Sequence, residues 1–441
     1  MSSHTPDNKT AITSLEQLRD FMLAGCKPRD RWVIGTEHEK FGWLAAENRH
    51  PPYGGPNGIG QLLLAFEAEG WEAKREGVAI IALSKDKASL TLEPGGQFEL
   101  SGAPLRSLRE MAEEFDQHLK DVLRLSEPLG ISWHGLGSSP VSPELAPKMP
   151  KARYEVMRRY LPTRGERALH MMHSTCTIQC NLDYSSELDA MRKLRAGLYL
   201  QPLVMAMFAN SFTLDQQLRE GSCARSHIWL NTDPDRYCYP ARFLEEGATL
   251  LDYVKWVIEV PMFFIAREGR YLDCAGLPFK RFMDEGFEGH SATMGDFELH
   301  LSTIFPDARL KQHLEVRGAD MSSPEYVKAL SAFHVGLLYD DDALQACLDR
   351  FEGVSAEALW ALRARVDEEG LRATLQGQSL KEWGLEMIAL SRQGLSRYEP
   401  GSEPLLDPLA EALRQGRCPA DHARGLWPQG LEGLMRGTRL T

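Results

Sequence analysis

Hydrophobic and polar positions alternate most clearly in RWVIGTEHEKFGW, and this period of two predicts a strand over about 31–43. An N-terminal arm over residues 1–30, with one helix starting near Ser14, precedes it. The Pro/Gly-rich loop NRHPPYGGPNGIG (48–60) leads into an amphipathic helix over 60–70, then short strands near 78–83 and 88–93. EPGGQFELSG (93–102) continues that meander. Leu105, Leu108, Met111, Phe115, Leu119 and Val122 recur at helical spacing between Pro104 and Glu127, and Pro128 and Gly130 stop that helix. Further strands are expected over 131–137, 175–183, 225–233 (RSHIWLNTD) and 313–320. Helices are expected over 151–160 and 187–209, the second bent or restarted at Pro202. Beyond about 324 the pattern is helical throughout: 325–339, 341–351, 355–369, 380–396 and 405–416.

Strands joined by hairpins or long helical excursions predict an α+β layout, a largely antiparallel sheet with helices segregated from it. The helical C-terminal third either covers that sheet or forms a small second domain.

Composition narrows the partners. The 441 residues carry a net charge of −12, and such a chain has no long-range attraction for nucleic acid or an anionic membrane. The most apolar stretch, Gly197 to Phe212, contains Gln201, Pro202 and Asn210 and reads as a buried helix, not a membrane span. The first residues, MSSHTPDNKTAITSLEQL, have neither a signal nor a transit pattern, so a cytoplasmic location is expected. Eight scattered cysteines suggest reduced thiols. HMMHSTCTIQC offers His170, His173, Cys176 and Cys180, but strand-like alternation around Thr175 would point His173 and Cys176 to opposite faces, against a structural zinc.

The strand-borne acids change the picture most. Glu37 and Glu39 share a face, Gln97 and Glu99 share a face, and Glu315 and Arg317 share a face, with apolar residues expected opposite. Glu93 lies just upstream of Gln97, and Gly95 and Gly96 suggest a bulge or a close backbone approach. Such faces are expensive unless cations neutralise them. Carboxylates with an amide oxygen and no matching histidine or thiolate set favour magnesium or manganese, which shares its coordination with substrate phosphates and so points to a nucleotide. Spacing alone leaves a solvated strand face open. Arg153, Arg225, Arg309, Lys311 and Arg317 supply matching positive charge, and arginine suits bidentate binding of carboxylate or phosphate. Thr175, Thr177, Gln179 and Asn181 form a polar strip that lines a cleft or faces water. There is no Walker-type loop, dinucleotide fingerprint or serine elbow.

Several long motifs then agree. IGTEHEKFGW, LEPGGQFELSGAPL, MPKARYEVMRRYLP, STCTIQCNLDYSSE, RSHIWLNTDPDR, TIFPDARLKQHLEVRGAD and VGLLYDDDALQACLD together resemble the plant and proteobacterial type of glutamate–cysteine ligase, over about 15–435. The resemblance implies a glutamine-synthetase-like curved antiparallel sheet forming a funnel, one catalytic domain over 1–441 with a helix-rich part about 324–441. It implies that ATP, with Mg2+ or Mn2+, phosphorylates the γ-carboxylate of L-glutamate and that the amine of L-cysteine attacks the γ-glutamyl phosphate. By similarity Glu37, Glu39, Glu93, Glu99 and Glu315 are metal ligands or their neighbours, and Arg317 stabilises the phosphoryl group. Arg153, Arg225 and Thr175 face substrate; Gln97 and Lys311 lie on the nucleotide side. The enzyme is expected as a monomer or homodimer. Cys274 resembles a plant redox position, but no cysteine follows it in KRFMDEGFEGHSATMGDFELH. Three other readings are a same-fold ligase using another amine, a non-catalytic regulator that binds nucleotide or amino acid, and a two-metal hydrolase.

Overall fold

The computed structural model describes residues 8–441. Part of the N-terminal stretch considered above for a leader, residues 1–7, lies outside the described residues. Nine strands form one sheet: β1 Ile34–Leu44, β2 Glu72–Glu76, β3 Ala79–Lys85, β4 Ala88–Leu92, β5 Phe98–Ser101, β6 Ile131–His134, β7 Thr177–Leu182, β8 Ala308–Leu310 and β9 Leu314–Asp320. Their order is β8-β9-β7-β1-β5-β4-β3-β2, with β6 on the second half of β1, and all pairings are antiparallel. The α+β expectation holds.

β1 is the central strand because its alternation serves two faces. Ile34, Thr36, His38 and Lys40 point to the helix-covered face. Helix Leu108–Ser126 lies there, with the Phe115 ring 4.8 Å from His38. Helix Pro324–Leu338 places Ser331 3.2 Å from the Thr36 hydroxyl. Helix Glu187–Met207 covers β8 and β9, where a side chain at Gly197 would sit 3.2 Å from Ala308. Ser107 and Ser186 begin two of these helices by accepting backbone N–H bonds. Helix Leu380–Tyr398 packs outside Pro324–Leu338 at a glycine crossing: a Cβ on Gly394 would lie 1.8 Å from the Gly336 carbonyl. Of the helical C-terminal third, Pro324–Leu338 covers the sheet and Leu380–Tyr398 packs on its outer side.

Three expectations need correction. RSHIWLNTD is no strand. Ala224–Leu230 is a helix, and its Arg225 and Trp229, four apart, share one face. A short apolar run does not separate the two periods on its own. HMMHS is also helical, within Ala168–Ser174, so the strand begins only at Thr177. Finally, the face of β1 behind the carboxylates is not apolar. His38 and Lys40 are buried there, 1 % and 0 % exposed, and the Lys40 ammonium lies 3.0 Å from His118 Nε2 and over the Phe98 ring. Helix Glu187–Met207 runs through Pro202 without restarting. All eight cysteines are free thiols. No helix among the described residues is long and apolar enough to cross a membrane.

Candidate active site

The uncovered face of the sheet lines a cleft of about 320 Å³. Its first half is acidic. Pairing of β1 with β5 sets Glu39 directly opposite Glu99, and pairing with β7 sets Glu37 opposite Gln179. Glu37, Glu39 and Glu93 reach the cleft wall, while Glu99 lies beneath it, fully buried and bonded to the Thr91 hydroxyl. The Thr177 N–H donates to Glu39 Oε2 at 3.0 Å, and Asn181 Nδ2 donates to Glu37 Oε1 at 2.9 Å. These bonds do not cancel the mutual repulsion. Burial, with Glu99 and Glu93 close by, pushes the Glu39 carboxyl up to about 8. Burial also raises Glu99. Two buried carboxylates with raised proton affinity, beside Glu37 and Glu93 and with oxygen donors only, fit a hard divalent cation. Among the described residues no three His, Cys, Asp or Glu already form a cage. A cation bound here would keep water and substrate phosphates among its ligands.

The second half is basic. The Glu315 carboxylate is fully buried, and Arg309, Lys311 and Arg317 approach it at 2.6, 2.7 and 2.8 Å. Despite burial, these three cations hold its carboxyl well below the usual range. Arg317 is clamped between the Trp229 and Phe305 rings, 5.6 and 5.7 Å from their centres. A bulge between Val316 and Ala319 turns backbone carbonyls inward. Arg225 donates to two of them, Arg317 O at 3.0 Å and Gly318 O at 3.1 Å. Asp320 completes the support, accepting from Ser211 Oγ at 2.6 Å and Asn210 N at 2.8 Å.

The expected site residues therefore divide by place. Glu37, Glu39, Glu93, Gln97, Thr175, Arg225, Lys311 and Arg317 line the cleft. Glu99 and Glu315 lie below its wall, and Arg153, also buried, stands off it over the Tyr154 ring. Gln97 ties two walls together: its Oε1 accepts from Gly95 N at 2.9 Å, and its Nε2 donates to Met172 O and Thr175 O at 3.2 and 3.0 Å. Gly95 permits that approach, since a Cβ there would lie 2.4 Å from the His173 carbonyl. Sequence reasoning missed Trp229, Phe305, Glu298 and Phe21 in the wall. Helical spacing from Arg225 was a usable signal for Trp229. Glu298 and Phe21 come from distant helices, and no local pattern marks them.

Residues 33–438 match the family model described as Glutamate-cysteine ligase family 2 (GCS2). The chain belongs to this family. It is 40 % identical to the glutamate–cysteine ligase, chloroplastic, of Medicago truncatula, over 97 % of this chain and 86 % of that protein. The Arabidopsis thaliana protein of the same name is also 40 % identical, over 97 % of this chain and 84 % of its own. Among solved structures, the glutamate–cysteine ligase (gshA) of Francisella tularensis in complex with AMP shares the fold, with a TM-score of 0.56 at 13 % identity over 92 % of this chain and 87 % of that one. These likenesses overturn the cytoplasmic expectation, because the relatives at this level of identity are named chloroplastic. That expectation rested on leader composition, and a leader contributes nothing to the folded enzyme's chemistry.

Proposed function

We propose that the two halves of this cleft perform the family's reaction, the ATP-dependent joining of L-glutamate to L-cysteine, with the roles divided as follows. A carboxylate is a poor electrophile, so the γ-carboxylate oxygen first attacks the terminal phosphorus of ATP. The bond to the ADP oxygen breaks, and γ-glutamyl phosphate forms. The cysteine nitrogen then attacks the acyl carbon of γ-glutamyl phosphate and gives up its proton, and phosphate leaves with the bonding electrons. The product is γ-glutamylcysteine, the first intermediate on the route to glutathione.

Glu37, Glu39 and Glu93, with Glu99 beneath, would hold Mg2+ or Mn2+, which supplies neutralisation of phosphate charge. Arg317 stabilises the charge that gathers on the transferred phosphoryl group. Arg225 and Thr175 orient glutamate, and Arg153 adds positive charge behind the acidic wall. Lys311 exchanges its contact with Glu315 for the nucleotide, and Gln97 holds the nucleotide-side loop in register. The observation that carries this reading is the cleft itself: a repelling carboxylate group faces a clamped arginine across one cavity. Charged groups so placed need both a cation and an anion between them, as a metal–phosphate complex provides.

The test is phosphate release with Mg2+, ATP and L-glutamate, with and without L-cysteine, followed by mass analysis. Cysteine-dependent release with γ-glutamylcysteine formed is the expected result. Faster release with another amine would keep the cleft assignment and change the acceptor, and no ATP turnover with any amine would favour the regulator or hydrolase reading.

A further inference from the structure

We propose that Arg363, on the helix Ala356–Glu369 of the C-terminal third, is a positioning residue that sets the spacing of the basic half of the cleft. The inference rests on the role given above to Arg317.

Arg363 is 2 % exposed and absent from the cleft wall, so it touches no substrate. Its guanidinium instead reaches both elements that carry the basic groups. Nε donates to Asp307 Oδ2 at 3.2 Å, and the Arg317 N–H donates to the Asp307 carbonyl at 2.9 Å. Nη1 donates to the hydroxyl of Ser226 and, at 3.4 Å, to its carbonyl. Ser226 neighbours Arg225 on the helix that also carries Trp229. Nη2 donates to the Tyr237 hydroxyl, which in turn donates to Asp307 Oδ2 at 2.5 Å. The Tyr237 ring stacks on Trp229, centres 6.0 Å apart. One rigid fork thus spans the turn before β8 and the helix Ala224–Leu230, and each of its three arms ends one step from a cleft residue: Arg317, Arg225 or Trp229.

A buried ion pair serving stability alone needs only Asp307. The two additional arms fix a distance, which a planar five-donor group does better than a lysine ammonium. Misplacing a reacting group by about 1 Å costs on the order of 10²-fold in rate. The helical cover is on this view part of the catalytic apparatus.

The experiment is a kinetic cycle of Arg363→Lys with Arg317→Lys, with the melting temperature of each variant recorded. Arg363→Lys keeps the charge and loses the fork. We expect it to lower kcat by about tenfold or more, with the KM for glutamate changed less than about threefold. In the Arg317→Lys background it should lower kcat by less than about twofold, because its effect passes through Arg317. Tyr237→Phe removes one arm without a charge change and should give the same non-additivity at smaller amplitude, which covers a failure of Arg363→Lys to fold. Equal losses of kcat in both backgrounds would overturn the inference while leaving Arg317 its role. An Arg317→Lys variant with intact kcat would remove the role of Arg317, and the inference with it.

Discussion

The acidic and basic halves of the cleft bury the same residue type with opposite outcomes. Glu39 faces Glu99 and Glu93 and holds its proton up to about 8. Glu315 faces three cations and is held well below the ordinary range. Burial alone does not decide what a carboxylate does; its neighbours do. The basic half is closed around its carboxylate, since Arg309, Lys311 and Arg317 neutralise Glu315 internally and leave positive charge over for an anion. The acidic half is open to the cleft: burial raises Glu39 and Glu99 there, whereas Glu93, despite burial, is lowered by charges that include Lys151 and Arg153. A site with the role proposed above, which would admit a metal with its nucleotide and then release them, benefits from this asymmetry.

The largest effect should come from breaking the closed half. Glu315→Gln leaves the buried guanidiniums of Arg309 and Arg317 without their counter-charge, and we expect a loss of about 3–5 kcal/mol in unfolding free energy together with activity. Denaturant titration reads this, and a loss under about 1 kcal/mol would contradict the closed-network description. In the open half the expectation reverses. Glu39→Gln should lower kcat by about 10²-fold or more. It should leave the melting temperature of the ligand-free protein little changed at pH 7, where the Glu39 carboxyl already keeps its proton, and raise it above pH 8. Near-normal turnover in this variant would remove Glu39 from the metal assignment.

Proton linkage gives a third, smaller effect. Folded Glu39 keeps its proton to about pH 8, whereas the unfolded chain releases it near the ordinary 4.5. Between these values Glu39 binds its proton more tightly in the folded state, so its own contribution to metal-free stability falls as pH rises, by at most about 1.4 kcal/mol per unit. Saturating Mg2+ should flatten that fall, since the cation stabilises the ionised form. Lys40 and Lys151, both pushed down to about 7 by burial, pull the other way above pH 7. Buried histidines such as His134, His300 and His334, pushed down to about 3, 3 and 4, also pull the other way between pH 5 and 7, but equally in both series, so the difference between melting temperatures at pH 5, 6 and 7 with and without Mg2+ isolates the carboxylates. Parallel slopes in the two series would mean that no cation binds among them.

Much of the open half is legible in the amino-acid sequence. Glu37 and Glu39 have to share a face, because side chains alternate along a strand, and the glycines ahead of Gln97 do mark a close approach, at Gly95. Less can be read of the basic half. Its aromatic clamp depends on Trp229, and that segment resembles a strand because seven residues cannot separate a period of two from one of 3.6. Phe305 and Glu298 reach the cleft only through tertiary folding. Sequence spacing also puts Glu315 among the acids without revealing that Arg309 and Lys311 take up its charge.

Lys40 offers the smallest and sharpest test of the comparison. It lies one residue from Glu39 but on the opposite face of β1, where the Phe98 carbonyl at 3.5 Å and His118 Nε2 at 3.0 Å are its hydrogen-bond partners. If the open half draws its neutralising charge from bound ligand, this ammonium behind the sheet is no substitute for it. Replacing a buried, incompletely paired charge by an apolar side chain of similar length is commonly neutral or stabilising. Lys40→Met should therefore raise stability by about 1 kcal/mol and change kcat by less than about threefold. The sign of the stability change and the metal dependence of kcat should be measured together. A Lys40→Met variant that loses turnover yet recovers it at high Mg2+ would show that the lysine shares in neutralising the carboxylates through the strand. The two faces of β1 would then form one electrostatic unit, and the cleft's acidic half would be less open than its geometry indicates.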